Sequence, residues 1–276
     1  MTTAPISTAP ASTTPVSTAP ASTRRRSGPG LLLHQIRYEQ LSFWRNPQSA
    51  VFTFIFPVVF VTIIGALLGG GTSSPYFGGR SALGYYVPTI AALSVLGSCY
   101  GQLAVALAAR RQNGLLKRAR ATPLPAWAYF AGLLVHCVLV SAVDIALIVG
   151  VGRLYGLPLP GNWPAIAVTL VLGAASFCAL GVAVASVISN ADAAPAVAQL
   201  ALFPLLFLSG TYMPIGSPLL NRIMSWLPVR PFNQALLGSF GSHGGPGWQH
   251  LGVLLAWGAV GSLVAVRRFR WNPRPE

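Results

Sequence analysis

The chain has 276 residues, of which 53% are apolar and only 8% charged, and its formal net charge is +14. A soluble domain solvates its surface with roughly a quarter of its residues charged, so the main solvent expected here is lipid. The basic residues follow the loop-topology rule below, which removes nucleic-acid binding as the reason for them.

In chain order, residues 1–28 come first, with "ISTAPAST" and "VSTAPAST" recurring ten residues apart. Pro, Ser, Thr and Ala bury too little apolar surface to order a backbone, so a disordered tail is expected. Residues 1–30 lack an apolar core of signal-peptide length, so no cleavable leader is expected. "LLLHQIRYEQLSFWRNP" then predicts an interfacial helix over 31–46, stopped by Asn46-Pro47. On its wheel Leu32, Leu33, Ile36, Leu41, Phe43 and Trp44 share one half, with Gln35, Glu39, Ser42 and Arg45 opposite.

Six apolar segments follow, about 48–70, 84–109, 126–151, 164–189, 193–212 and 249–266. About twenty helical residues cross a ~30 Å hydrocarbon layer, so we expect an all-α membrane protein with six spans over residues 29–270 and a short tail, 271–276. Asn162 and Pro164 give the fourth span a cap and a first-turn proline, whereas Pro195 and Pro204 interrupt the fifth. Six spans put both termini on one side, and fourteen of the eighteen Lys and Arg residues fall on that side. The positive-inside rule then makes both ends cytoplasmic. In the loop after the fifth span, Leu219, Leu220, Ile223, Met224 and Leu227 repeat at helical spacing, as do Phe232, Leu236 and Phe240. Two short amphipathic helices, re-entering or lying on the outer leaflet, are predicted there.

The chemistry that is missing narrows the function. The one lysine, Lys117, follows Leu-Leu, so there is no phosphate-binding G-x-x-x-x-G-K loop. The four acids (Glu39, Asp144, Asp192, Glu276) and four histidines are scattered, and there is no G-x-S-x-G elbow. No catalytic residue, metal site or bound cofactor is expected. Cys99, Cys137 and Cys178 each lie alone in an apolar run and read as small buried hydrophobes. Asp144 should face the bundle interior, because a carboxylate in hydrocarbon costs ~2.5–3.5 kcal/mol on insertion scales. A hydrogen-bonded packing role near the outer end, paired with Arg153, is favoured over a proton relay. Gly97 and Gly101 form a G-x-x-x-G that would let two helices approach. Tyr100, Phe203, Phe207 and Tyr212, with Met213, are candidates to line an apolar substrate path.

"RRQNGLLKRARATPLPAW" (110–127) packs five cations into eleven residues, and no acid occurs between Gln40 and Val143. On one helix, residues 110–121 gather Leu115, Leu116 and Ala119 on an arc beside Gln112, framed by Arg110, Arg111, Lys117, Arg118 and Arg120. Setting topology and binding anionic lipid would explain the charge, but neither needs an apolar ridge followed by the abrupt Thr122-Pro123 stop. A docking knob for a soluble partner fits both features.

These residues resemble the ABC-2 type permeases, the membrane subunits of bacterial ABC exporters such as daunorubicin-resistance permeases. "RQNGLLKRARATPLP" is similar to the family pattern R-E-x-G-x-L-K-R-L-R-A-T-P-L, with Gln112 in place of the usual Glu and Ala119 in place of Leu. "FPLLFLSGTYMPIGSPLLNRIMSWLPVRPFNQAL" and "YEQLSFWRNPQSAVFTFIFPVVF" resemble the family's outer-loop and first-span segments. The resemblance implies a plasma-membrane exporter subunit that dimerises with itself or a homologous permease, moves a hydrophobic or amphipathic substrate, and binds two ATPase subunits that carry ATP and Mg. It also implies a coupling helix containing Arg111, Gln112, Gly114, Leu115, Leu116, Lys117, Arg118, Arg120, Thr122 and Pro123. Asn190 and Asp192 of "NADAAP" would supply a second contact. The rivals are an ion-gradient-driven carrier, which predicts more intramembrane acids and internal repeats, an intramembrane enzyme, which predicts a convergent polar cluster, and a non-transporting anchor.

Overall fold

The computed structural model describes residues 28–68, 71, 73–122, 124–188, 190–208, 218–241 and 245–269, without the side chains of residues 205, 207, 208, 218, 220 and 221. Residues 1–27 of the expected N-terminal tail, the C-terminal tail 271–276, Pro123 and the path candidates Tyr212 and Met213 lie outside the described residues.

The described elements are helical. They are α1 (Gly28–Trp44), α2 (Pro47–Leu68), a 3-10 turn (Pro75–Phe77), α3 (Ala82–Leu96), a π turn (Gly97–Gln102), α4 (Leu103–Gln112), α5 (Leu115–Arg120), α6 (Ala126–Leu154), α7 (Trp163–Val187), α8 (Ala194–Leu208), α9 (Pro218–Met224), α10 (Val229–Phe240) and α11 (Trp248–Arg268). Among the described residues, five helical units are long and apolar enough to cross a membrane: α2, the continuous Ala82–Gln112 unit, α6, α7 and α11. The expected fifth span is represented by α8, whose apolar stretch Ala194–Pro204 falls short of that length.

Local chemistry sets the helix starts. Asn46 Oδ1 accepts from Ser49 N at 3.4 Å and Ser81 Oγ from Gly84 N at 3.1 Å. Asn162 Oδ1 accepts from Ala165 N at 3.0 Å, directly before the first-turn Pro164. Each satisfies an amide that the helix itself cannot.

One contiguous core runs through Val87, Val95, Leu107, Ile148, Phe177, Phe232 and Leu254. α11 packs chiefly on α7, α1 on α6, and α2 on α3 and α6, while α10 inserts between α3, α7 and α11. Phe232 of α10 meets Phe177 edge to face at 5.2 Å and covers Gly173 so closely that a Cβ there would overlap its ring. A small residue is needed at 173 for α10 to enter.

α1 turns its apolar half outward, the side an interfacial helix gives to lipid, and part of its polar half toward the protein. Gln35 and Glu39 are buried, while Leu33, Leu41 and Trp44 are exposed. Gln35 sits against Gly132 of α6, where a Cβ would come within 2.5 Å of its Cγ. Outside a membrane protein the solvent is apolar, so the polar stripe faces protein partners and the apolar one faces lipid. α2 presents Phe52, Ile55, Phe56, Val59 and Ile63 outward for the same reason.

Among the described residues of the chain, Gly97 and Gly101 mediate no close helix approach, since a Cβ at either would meet nothing within 4 Å. Asp144 is buried and accepts from Ser94 Oγ. It is not joined to Arg153, whose Nη1 donates to the Leu157 carbonyl at 3.4 Å. Asp144 lies ten residues inside the end of α6, too deep for that pairing.

Candidate functional site

The Ala82–Gln112 unit ends in Arg110, Arg111 and Gln112, and each side chain reaches a different element. Arg110 donates from Nη2 to Glu39 Oε2 at 2.6 Å and from Nη1 to Oε1 at 2.8 Å. Such a two-bonded, charge-assisted pair fixes orientation as well as distance. The same Nη1 donates to Tyr129 Oη at 3.1 Å, and Gln35 Nε2 donates to Glu39 Oε1 at 2.8 Å. Glu39 is only 2% exposed, so this cluster clamps α1 to α4 and α6.

Arg111, 4% exposed, points the other way. Its Nη1 donates to the Ala185 carbonyl at 3.1 Å and its Nη2 to the Ile188 carbonyl, both at the end of α7. The last carbonyls of a helix lack partners within it and carry its negative dipole end. A guanidinium answers both needs. Gln112 Oε1 accepts from Ala191 N at 2.7 Å, and Asn190 Oδ1 accepts from Asp192 N at 2.9 Å. The two segments expected to contact a partner are thus joined to each other.

Residues 110–121 do not form the single helix expected of them. Asn113 and Gly114 break it, with Gly114 at φ 67, in the left-handed region that glycine enters without cost. The six residues of α5 follow, and Thr122 Oγ1 closes the end by donating to the Ala119 carbonyl at 2.6 Å. The break rotates the two halves apart. Leu116 is 1% exposed and belongs to the main core, whereas Leu115 is 45% exposed. Lys117, Arg118 and Arg120 are exposed with it. The apolar ridge therefore loses Leu116 and keeps Leu115 with the half-buried Ala119, and the outward cations number three among these residues, because Arg110 and Arg111 are spent inside.

Of the substrate-path candidates, Tyr100 is buried and donates to the Ala198 carbonyl at 3.4 Å. Phe203 is exposed on α8, and the Phe207 side chain lies outside the described atoms. A cavity of about 750 Å³ opens between α1, α2, α4, α6 and α8, with Glu39, Phe52, Ser98, Gln102, His136 and Leu202 among its walls. Gly97 and Gly101 also border it, which gives the missing Cβ atoms a use: they leave room. A second, apolar groove of about 520 Å³ lies against Trp127, Phe130, Cys178 and Val266. The three cysteines, expected to be isolated, converge with their Sγ atoms within 4.8 Å of one another.

Residues 31–240, well over half the chain, match the family model described as ABC-2 type transporter. The chain belongs to the ABC-2 type transporter family. It is the membrane permease domain of that family, the transmembrane part that performs no catalysis itself, and by its helices a multi-pass membrane protein. A Bacillus subtilis (strain 168) protein named "Putative transport permease YvfS" is similar to it, with 23% identity over 217 residues covering 77% of this chain and 86% of that protein. ABC-2 permeases in general pair with ABC ATPase subunits, which carry the ATP site. The Arg110–Glu39 clamp is not legible in the sequence, because seventy-one residues separate the pair and nothing local signals it.

Proposed function

We propose that the chain is the transport subunit of an ATP-driven exporter in a bacterial plasma membrane, moving a hydrophobic or amphipathic substrate outward. Both termini lie in the cytoplasm, with α8 the fifth of six spans. Two such subunits, identical or homologous, associate with two ABC ATPase subunits that hold ATP and Mg. α5 is the coupling helix and the Asn190–Asp192 turn is the second contact.

The observation that carries this reading is the mounting of α5. Leu115, Lys117, Arg118 and Arg120 stand exposed, while the residues just before them are fastened to α1, α6 and α7. A push on α5 cannot be absorbed by a floppy loop; it moves three helices. Such rigid linkage is what lets a small displacement at one site bias a distant packed arrangement. The positive-inside count supports the cytoplasmic placement. The mixed walls of the 750 Å³ cavity, aromatic and amide together, suit an amphipathic cargo.

The test is co-purification of a cognate ABC ATPase subunit with the permease carrying Lys117→Glu, Arg118→Glu and Arg120→Glu together. We expect the ATPase to be lost while the permease keeps its thermal unfolding temperature. Undiminished retention of the ATPase would sink the coupling role of α5.

A further inference from the structure

Cys99 lies in the π turn, Cys137 on α6 and Cys178 on α7, so three spans each contribute one thiol to a single point. All three are buried, and none is in a disulfide. Cys99 Sγ lies 3.7 Å from Ser141 Oγ. A π turn aims a side chain that a regular helix would place elsewhere, and such turns are frequent at functional sites. Packing alone asks only for small apolar residues and gives no reason for three sulfurs to meet.

We propose that Cys99, Cys137 and Cys178 form a three-sulfur binding site for a trivalent thiophilic metalloid of the arsenite class. The donor set is soft throughout. Among the described residues no imidazole or carboxylate joins it, which disfavours magnesium, calcium and manganese. Structural zinc takes four protein ligands, and the chain has three cysteines and no more.

Charge then separates the soft candidates. Three thiolates leave two negative charges on a copper(I) complex and one on a zinc complex, whereas a +3 centre gives a neutral one. In an interior where uncompensated charge is expensive, the neutral complex is favoured. The exchange balances without any redox partner. Neutral arsenous acid carries three hydroxyls; each thiol proton leaves with one hydroxyl as water, and three S–As bonds replace three O–As bonds at unchanged oxidation state.

Access is built in as well. Cys137 borders the 750 Å³ cavity and Cys178 the apolar groove, so an uncharged solute entering from the polar side meets Cys137 first, with the fully buried Cys99 behind it. Once bound it would tie the π turn to α6 and α7.

The test uses the full chain purified in detergent under a non-thiol reductant and titrated with sodium arsenite. Retained arsenic per chain and the number of sulfur neighbours, from X-ray absorption, are the readouts. We expect one arsenic per chain with three sulfurs, and all three thiols protected from alkylation. Cys99→Ser, Cys137→Ser and Cys178→Ser should each weaken retention by about a hundredfold, since each removes one of three linked attachments. No retained arsenic, or arsenic with fewer than three sulfurs, overturns the proposal. So does a three-sulfur complex formed with copper(I) or zinc in parallel titrations but not with arsenite. The unsubstituted chain suffices for each of these outcomes, so a poorly folding variant does not blur them. No ATPase is needed, so failure here leaves the exporter reading untouched.

Discussion

Arg110 and Arg111 end one helix, and Lys117, Arg118 and Arg120 belong to the next, yet the two groups meet different surroundings. The first pair is turned inward, one onto a buried carboxylate and the other onto the carbonyl end of α7. The second group is exposed and forms no ion pair among the described residues. Identical chemistry is structural on one side of Gly114 and available to a partner on the other. A run of like charges in a sequence is therefore not a single feature, because a short break in helical phase can divide it.

The contrast between the two groups breaks most readily at Arg110. Arg110→Ala leaves Glu39 buried and uncompensated, which costs about 3–5 kcal/mol. Thermal unfolding in detergent should show it, and the paired change Arg110→Met with Glu39→Leu should recover most of the loss. If the double variant is no better than the single, the ion pair is not what holds α1.

Arg111→Met should come next. It removes charge-assisted bonds worth ~1.5–3 kcal/mol and frees the end of α7, which should also appear as faster amide exchange at residues 185–188. Gln112→Leu removes one neutral bond to Ala191, about 1 kcal/mol in the same unfolding measurement. Gln112→Glu keeps an acceptor there and should leave stability unchanged.

The smallest stability effect is expected at the exposed cations. Lys117→Glu, Arg118→Glu or Arg120→Glu should stay within about 0.5 kcal/mol of the original protein. A large destabilisation from any of these would erase the distinction between the two groups.

Much of the architecture is legible in the sequence. Apolar run length locates the long spans, Asn162 with Pro164 marks the start of α7, and the 3.6-residue spacing around Phe232 and Leu236 foretells α10. These signals are local, so residue order carries them. The site is legible only in outline. The basic segment stands out, but helical spacing alone puts Leu116 on a surface it does not occupy, since its burial depends on what packs from α4 and the core. The amphipathic wheel of α1 is legible as an interfacial helix, but that Gln35 and Glu39 of its polar half are buried is not, since the Gly132 and Arg110 they meet lie tens of residues away.

Composition by itself determined that this is a membrane protein, because too few charges exist to solvate it in water. Tertiary structure alone decided which cations are anchors, which leucine of two faces outward, and that three scattered thiols meet. Those outcomes depend on contacts between residues tens of positions apart, and side-chain type fixes what a residue can do but not which neighbour it finds.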